Sequence, residues 1–168
     1  MILKKNIIAF FVIGIAGTLG HFVYKWSGNL KLLGYIFPVS ESTWEHLKLL
    51  FFPAIIYFII SYYRTESKPK NFFPALAISV SCGMSLIVTI FYTISGVLGF
   101  NLGFVNIGIY FIGVIATICK MNKIIKSGKC SSKNALVVSM LYFIVMTLLF
   151  ILFSYNPPKL GVFKIPKL

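Results

Sequence analysis

The acidic and imidazole side chains of this chain are few, and most of them fall in one short segment. Only three acids and two histidines occur among 168 residues, and Glu41, Glu45 and His46 stand close together. Carboxylates and imidazoles bind divalent metals, and three such ligands with water in a fourth position form a catalytic zinc centre. The segment is therefore a candidate for proton transfer or metal binding.

The second histidine is expected to join this group from another helix. On an ideal helix His46 points about 100° away from Glu45, so the two cannot chelate one ion by themselves. His21 lies near the end of the preceding apolar run, and antiparallel neighbouring helices put it at the same depth. We expect a pocket that binds a divalent metal through His21, Glu45 and His46, with Glu41 as a further catalytic candidate.

An architectural interpretation of the same segment stays open. Carboxylates in the first turn of a helix are stabilised by its positive dipole end, and Glu45 and Lys48 at i, i+3 can form an ion pair. Ser42 with Glu45 three residues later fits a capping box, and Trp26 and Trp44 suit an interfacial aromatic belt. This interpretation needs no ligand, but it leaves the first histidine unexplained.

The elements that would position these residues are membrane-spanning helices. Hydrophobic residues make up 58% of the chain, more than in a soluble domain. A hydrocarbon core about 30 Å thick needs roughly 20 helical residues, and single strands cannot cross it because unpaired backbone groups are costly there. The sequence predicts an all-α integral membrane bundle in one domain, residues 1–168, with five spans at about 6–23, 42–63, 72–98, 102–119 and 134–153.

The basic residues lie between the apolar runs and give a net charge of +13. A nucleic-acid-binding protein would carry them as a stripe on a soluble surface, so we expect no nucleic acid and instead anionic lipid headgroups as partners. With the N-terminus in the cytoplasm, ten basic residues fall inside and six outside. The positive-inside rule then predicts a multipass protein of the cell membrane with a cytoplasmic N-terminus and an outer-facing pocket.

Small and polar residues predict which helix faces turn into the bundle. Gly14 and Gly17 precede His21 on one face of the first span, and four hydroxyl residues recur at four-residue intervals in the third: Ser81, Ser85, Thr89 and Thr93. Helices in lipid associate through close packing and hydrogen bonds, so both faces are expected to contact protein. Pro53 should kink the second span and free the carbonyl of Leu49.

Two segments, GHFVYKWSG at residues 20–28 and PVSESTWEHLK at residues 38–48, carry a specific pattern. They resemble a family of small multipass membrane proteins from Gram-positive bacteria, classed as a domain of unknown function and marked by P-V-x-E-S-x-W-E-H-L-K. The resemblance covers the whole chain and implies a membrane fold with no assigned activity. The family pattern has a histidine after the paired prolines and an acid near the C-terminus, where this chain has Lys159 and Ile165.

Three functional classes remain open at this level. The chain lacks the H-E-x-x-H, G-x-S-x-G and phosphate-loop motifs of the common hydrolases and nucleotide-binding proteins. A metallohydrolase within the membrane, a small transporter with a helix break at Pro53, and an accessory or structural subunit without a catalytic site all fit. A homo-oligomer or a partner membrane protein would suit the transporter. Convergence of the histidines and acids would favour a metal site or an enzyme.

Overall fold

The computed structural model describes the backbone of residues 2–166 and the side chains of residues 6–166. Over this range the chain is all-α, as predicted from the sequence. The α-helices are α1 (Ile2–Trp26), α2 (Lys31–Gly34), α3 (Thr43–Tyr63), α4 (Phe72–Leu98), α5 (Gly103–Ser127) and α6 (Lys133–Tyr155), followed by a 3-10 turn at Gly161–Phe163. The side chains of Lys4 and Lys5 and the whole of Lys167, which entered the charge count, lie outside the described residues.

Five of these helices, α1 and α3 to α6, are long and apolar enough to cross a membrane. We refer to the end of the bundle where α1 ends and α3 begins as the Trp26 end, and to the opposite end as the Arg64 end. The helix α5 continues to Ser127 instead of stopping near 119. Lysines propagate a helix well, so the chain stays helical beyond the apolar run until Gly128, whose left-handed φ of 63° ends it.

The helix α3 contacts all four other long helices and so forms the centre of the bundle. The most extensive helix pair is α4 with α5, and two glycines allow their close approach. A Cβ atom on Gly83 would lie 2.8 Å from the carbonyl oxygen of Gly113, and one on Gly113 would lie 3.2 Å from that of Gly83. Small residues at the crossing therefore bring the two backbones together, as is usual for helices in lipid.

The glycine face of α1 packs against protein, in agreement with the sequence-based prediction. A Cβ on Gly17 would overlap the hydroxyl of Tyr110 on α5, which lies 2.8 Å from the carbonyl oxygen of Ile13 and 3.3 Å from that of Leu49. Pro53 has no N–H to donate to the Leu49 carbonyl. The tyrosine therefore compensates for the proline in α3, and the glycine in α1 makes room for it.

The prediction that the hydroxyl stripe of α4 faces protein is wrong for most of its length. Ser81 is partly buried, but Ser85, Thr89 and Thr93 are exposed on the surface of the chain. A helical serine can bond to the carbonyl four residues earlier, as Ser81 does to Ala77 at 2.8 Å. Because such a hydroxyl needs no partner from another helix, four-residue spacing alone does not determine which face is buried.

Candidate metal site

Three side chains from separate parts of the chain meet at the Trp26 end of the bundle. His21 lies near the end of α1, His46 in the first turn of α3, and Glu41 in the segment between α2 and α3. The Nε2 atom of His21 is 3.1 Å from Nε2 of His46 and 3.3 Å from Oε2 of Glu41. The same Oε2 atom is 3.4 Å from Nε2 of His46. The three atoms form a nearly equilateral triangle.

The start of α3 explains why Glu41 joins the two histidines. Ser42 is the N-cap, with an extended backbone (φ −72°, ψ 150°) and a side chain that accepts a hydrogen bond from the backbone N–H of Glu45. Glu41 therefore precedes the helix, and its side chain does not follow the helical spacing that relates Glu45 to Lys48. The extended N-cap lets the Glu41 carboxylate turn back toward α1.

The tautomer of His46 follows from its second ring nitrogen. Nδ1 lies 2.8 Å from the carbonyl oxygen of Ser42, and a carbonyl can only accept a hydrogen bond, so Nδ1 carries the proton. With Nδ1 as a donor, a protonated His46 ring also donates from Nε2 to the Glu41 carboxylate, whereas the neutral ring, the form that binds a metal, presents the Nε2 lone pair to the triangle. A ligand histidine in a metal site is commonly held in this way by a carbonyl or carboxylate behind it.

The Glu41 carboxylate is ionised at neutral pH. The hydrogen bond from His46 is the main cause that lowers the pKa of Glu41 to about 2, with further help from His21 and from the Lys25 ammonium 3.4 Å from Oε1, while partial burial opposes the shift. Half of the Glu41 side chain is exposed, against 27% of His21 and 32% of His46. The cluster is thus anionic at one corner and open to solvent on that side.

Glu45 does not reach the histidines. Its side chain is almost fully buried, and Oε2 lies 2.8 Å from the Nζ atom of Lys48, which is fully buried as well. The same oxygen accepts a hydrogen bond of 2.9 Å from the backbone N–H of Val39. The roughly 100° between neighbouring helical residues sends Glu45 into the bundle and His46 toward α1. The structure therefore brings together His21, Glu41 and His46, and places Glu45 elsewhere.

Glu45 and Lys48 fix the segment that carries Glu41. The hydrogen bond to Val39 holds the backbone two residues before Glu41. The Lys48 ammonium also donates to the carbonyl of Gly34 at 2.9 Å and to the hydroxyl of Ser154 at 2.6 Å. We call these four groups, Gly34, Glu45, Lys48 and Ser154, the lysine cluster. The i, i+3 spacing suggested the ion pair, but nothing in the local sequence indicates Ser154, 106 positions away.

The C-terminal tail packs beside the site without adding a metal ligand in the described range. Phe163 of the 3-10 turn contacts the ring of Trp44, with centroids 5.0 Å apart, and Trp44 also packs against Phe150 of α6. Lys159 and Ile165, which stand where the family pattern has a histidine and an acid, are both exposed. The tail thus covers the start of α3 through aromatic contacts.

No curated protein and no solved structure matches this chain. One family model does, and its match runs from residue 2 to residue 166, nearly the full length. This chain, with its five helices that could span a membrane and its cluster of two histidines and a glutamate, thus matches a family whose function is unknown. The chain belongs to this family of unknown function, DUF6512.

Proposed function

We propose that this protein is a membrane protein that binds a divalent transition metal, with Zn²⁺ as the best fit, through His21, Glu41 and His46. The observation that carries the proposal is the size of the ligand triangle. Zinc bonds to histidine nitrogen and carboxylate oxygen are about 2.0–2.1 Å long, so the ligands of a tetrahedral ion lie about 3.3–3.4 Å apart. The three separations in the cluster are 3.1, 3.3 and 3.4 Å.

The chemistry of the donor atoms supports the same ion. Two imidazoles and one carboxylate neutralise part of the charge of a divalent cation and suit zinc better than calcium or magnesium, which prefer oxygen ligands. Glu41 is ionised, and the lone pair of His46 is directed into the triangle by the bond from Nδ1 to Ser42. The sequence suggested Glu45 as the carboxylate ligand. We propose Glu41 in its place.

Three protein ligands leave a fourth position for water, which is the arrangement of catalytic zinc centres. The Glu41 side of the triangle is half exposed, so water reaches it from solvent. A bound ion would lower the pKa of the water and polarise a carbonyl or phosphoryl oxygen. We therefore favour metal-dependent hydrolysis over transport. A cavity of about 590 Å³ between α1 and α3 is lined mainly by apolar side chains, whereas transport of a polar solute needs a polar lining.

We place the site at the outer face of the cell membrane, with the N-terminus in the cytoplasm. The support is the distribution of basic residues, ten on the inner side and six on the outer side. One of those six, Lys48, lies in the lysine cluster and not at a headgroup, so the exposed outer charge is smaller still.

Cobalt binding to the purified protein in detergent tests the metal site directly. Tetrahedral Co²⁺ absorbs visible light strongly, and we expect one Co²⁺ per chain that Zn²⁺ displaces. The variants His21→Ala, Glu41→Gln and His46→Ala should each weaken binding by about 100-fold or more. Glu66→Gln, which removes the exposed acid at the Arg64 end, is the matched control and should bind like the wild type. Circular dichroism and gel filtration would check that every variant is folded.

Two results would overturn the proposal. In the first, the wild-type protein shows no saturable Co²⁺ or Zn²⁺ binding above the level of the folded Glu41→Gln variant. In the second, binding persists in folded His21→Ala and His46→Ala proteins, so that the ion lies elsewhere. Either result would leave the cluster as a hydrogen-bonded cap on α3.

A further inference from the structure

A second pocket lies at the Arg64 end, far from the proposed metal site. It has a volume of about 310 Å³ and lies beside α4, the last turns of α5 and the loop after α5, with these residues along its wall: Ile78, Lys120, Lys123, Ile124, Ser127, Lys129 and Cys130. Three lysines thus share one small pocket. We call it the basic pocket.

Two of the three lysines lie on the same face of α5. Lys120 and Lys123 are three residues apart on α5 and so lie on one face of that helix. Lys129 approaches from the loop, after the left-handed turn at Gly128. Within the described part of the chain these three ammonium groups have no carboxylate partner, since all four ion pairs found there involve other basic residues.

The loop that brings Lys129 to the pocket is held in place by a buried side chain. The amide nitrogen of Asn71, which is 2% exposed, donates to the carbonyl oxygens of Ile124 at 2.8 Å and of Lys129 at 2.9 Å. Cys130 adopts a left-handed φ of 63°, which is uncommon for a residue other than glycine. The pocket is therefore built by specific contacts and is more than a row of surface lysines.

The composition of the wall indicates an amphiphilic ligand. Ile78 and Ile124 supply apolar surface, and three lysines line the same pocket. Lys120 is seven residues before the end of α5, about 10 Å along the helix axis. A lysine at this depth extends its ammonium group to the interface between lipid tails and headgroups. Basic pockets between helices at this level bind lipid phosphates.

We infer that the basic pocket binds the headgroup of an anionic phospholipid, with the phosphate among Lys120, Lys123 and Lys129 and an acyl chain along Ile78. This inference does not depend on the metal site. The sequence predicts contacts with anionic headgroups in general. The basic pocket adds one defined position, at which three positive charges surround a single phosphate. A zwitterionic lipid carries its own cation and gains less from such a site.

Native mass spectrometry of the delipidated protein, titrated with phosphatidylglycerol or phosphatidylcholine, tests the inference. We expect one phosphatidylglycerol to bind ahead of the others and phosphatidylcholine to bind weakly. The double variant Lys120→Gln/Lys123→Gln should weaken the first binding step by about 30-fold, at roughly tenfold or less for each lysine. The control Lys126→Gln/Lys133→Gln removes the same charge from the same end of the bundle but outside the pocket, and should change this step little.

Three outcomes would overturn the inference. The first is equal loss of the lipid in the two double variants, which would assign binding to overall charge and not to the pocket. The second is phosphatidylcholine binding as tight as that of phosphatidylglycerol. The third is displacement of the lipid by inorganic phosphate at equal concentration, which would make the free anion the ligand. The variant Asn71→Ala, if folded, provides a further check, because it releases the loop of Lys129 without changing the charge and should also weaken the first binding step.

Discussion

At the scale of single residues, the lysine cluster takes two charged groups out of water, which is costly unless they are paired. Lys48 and Glu45 are both shielded from solvent and hold one another at 2.8 Å. A buried ion pair is nearly neutral in net stability, but removing one partner leaves an uncompensated charge and costs about 3–5 kcal/mol. The pair therefore constrains the fold strongly although it adds little net stability by itself.

We expect Glu45→Gln to lower the free energy of unfolding by about 3 kcal/mol or more, because the Lys48 ammonium then lacks its counter-charge. Replacing both residues, as in Glu45→Gln/Lys48→Met, should restore most of that loss. Chemical unfolding in mixed detergent micelles, followed by tryptophan fluorescence, measures both. A Glu45→Gln protein as stable as the wild type would show that the pair carries no such energy.

The same double variant separates the roles of the two glutamates. If Glu41 is the metal ligand, folded Glu45→Gln/Lys48→Met protein should still bind Co²⁺. Any loss of affinity should come only from the weaker hold on Val39, two residues before Glu41. Folded Glu41→Gln protein should bind about 100-fold more weakly. Cobalt titration of the two proteins side by side gives the answer. Loss of binding in the Glu45 variant together with retention in the Glu41 variant would reverse the assignment.

The residue pattern predicted that the two histidines meet, but it indicated Glu45 beside them where the structure has Glu41. The equal depth of His21 and His46 follows from antiparallel spans, and the structure does place the two rings together. The choice of Glu41 depends on the residue at which α3 begins, because only a residue outside the helix escapes the helical spacing. The sequence identified Ser42 as the cap, but a cap does not determine the direction of the side chain before it.

At the scale of elements, one contact links three helices. Gly17 of α1 leaves space for Tyr110 of α5. The Tyr110 hydroxyl lies 3.3 Å from the carbonyl oxygen of Leu49 in α3. That carbonyl has no helical donor, because the residue four positions later is Pro53. Each sequence signal was visible separately, since glycine predicts close approach and proline predicts a free carbonyl. The tyrosine that joins them was not predicted, because its partner positions are 61 and 97 residues away.

Gly17→Ala is expected to destabilise the protein by about 1–3 kcal/mol, since the added methyl group overlaps the Tyr110 hydroxyl and must displace it. Gly108→Ala is the matched control, because a Cβ at Gly108 meets no atom within 4 Å. Thermal unfolding of both variants in one detergent gives the comparison. Equal midpoints for the two variants would mean that Tyr110 moves aside without cost.

At the scale of the whole molecule, the number of spans was predictable because apolar runs of sufficient length have few alternatives in a chain of this composition. The helix α4 runs from Phe72 to Leu98, and each of the other four long helices contains one of the remaining apolar runs. The exposed hydroxyl stripe of α4 was not predicted, since the burial of a face depends on which helices lie beside it. Orientation in the membrane likewise depends on charges outside the bundle and stays a prediction.

Cysteine labelling tests the orientation. In a background without Cys82 and Cys119, native Cys130 lies at the Arg64 end and a cysteine in place of Ser27 lies at the Trp26 end. With the N-terminus in the cytoplasm, an impermeant maleimide should label the Ser27→Cys position in intact cells, and Cys130 only after permeabilisation. Both positions are outside the membrane-spanning segments. The opposite labelling pattern would reverse the topology and put the metal site in the cytoplasm.

The bond between Lys48 and Ser154 also has a consequence for biosynthesis. Ser154 is near the end of α6, which leaves the ribosome after the other four long helices, whereas Lys48 enters the membrane more than 100 residues earlier. During that interval the ammonium group of Lys48 lacks one of its acceptors, and the side of α3 that α6 later covers is open. A chain that stops before α6 would therefore carry a partly unsatisfied cation within the bilayer, where such a group is costly.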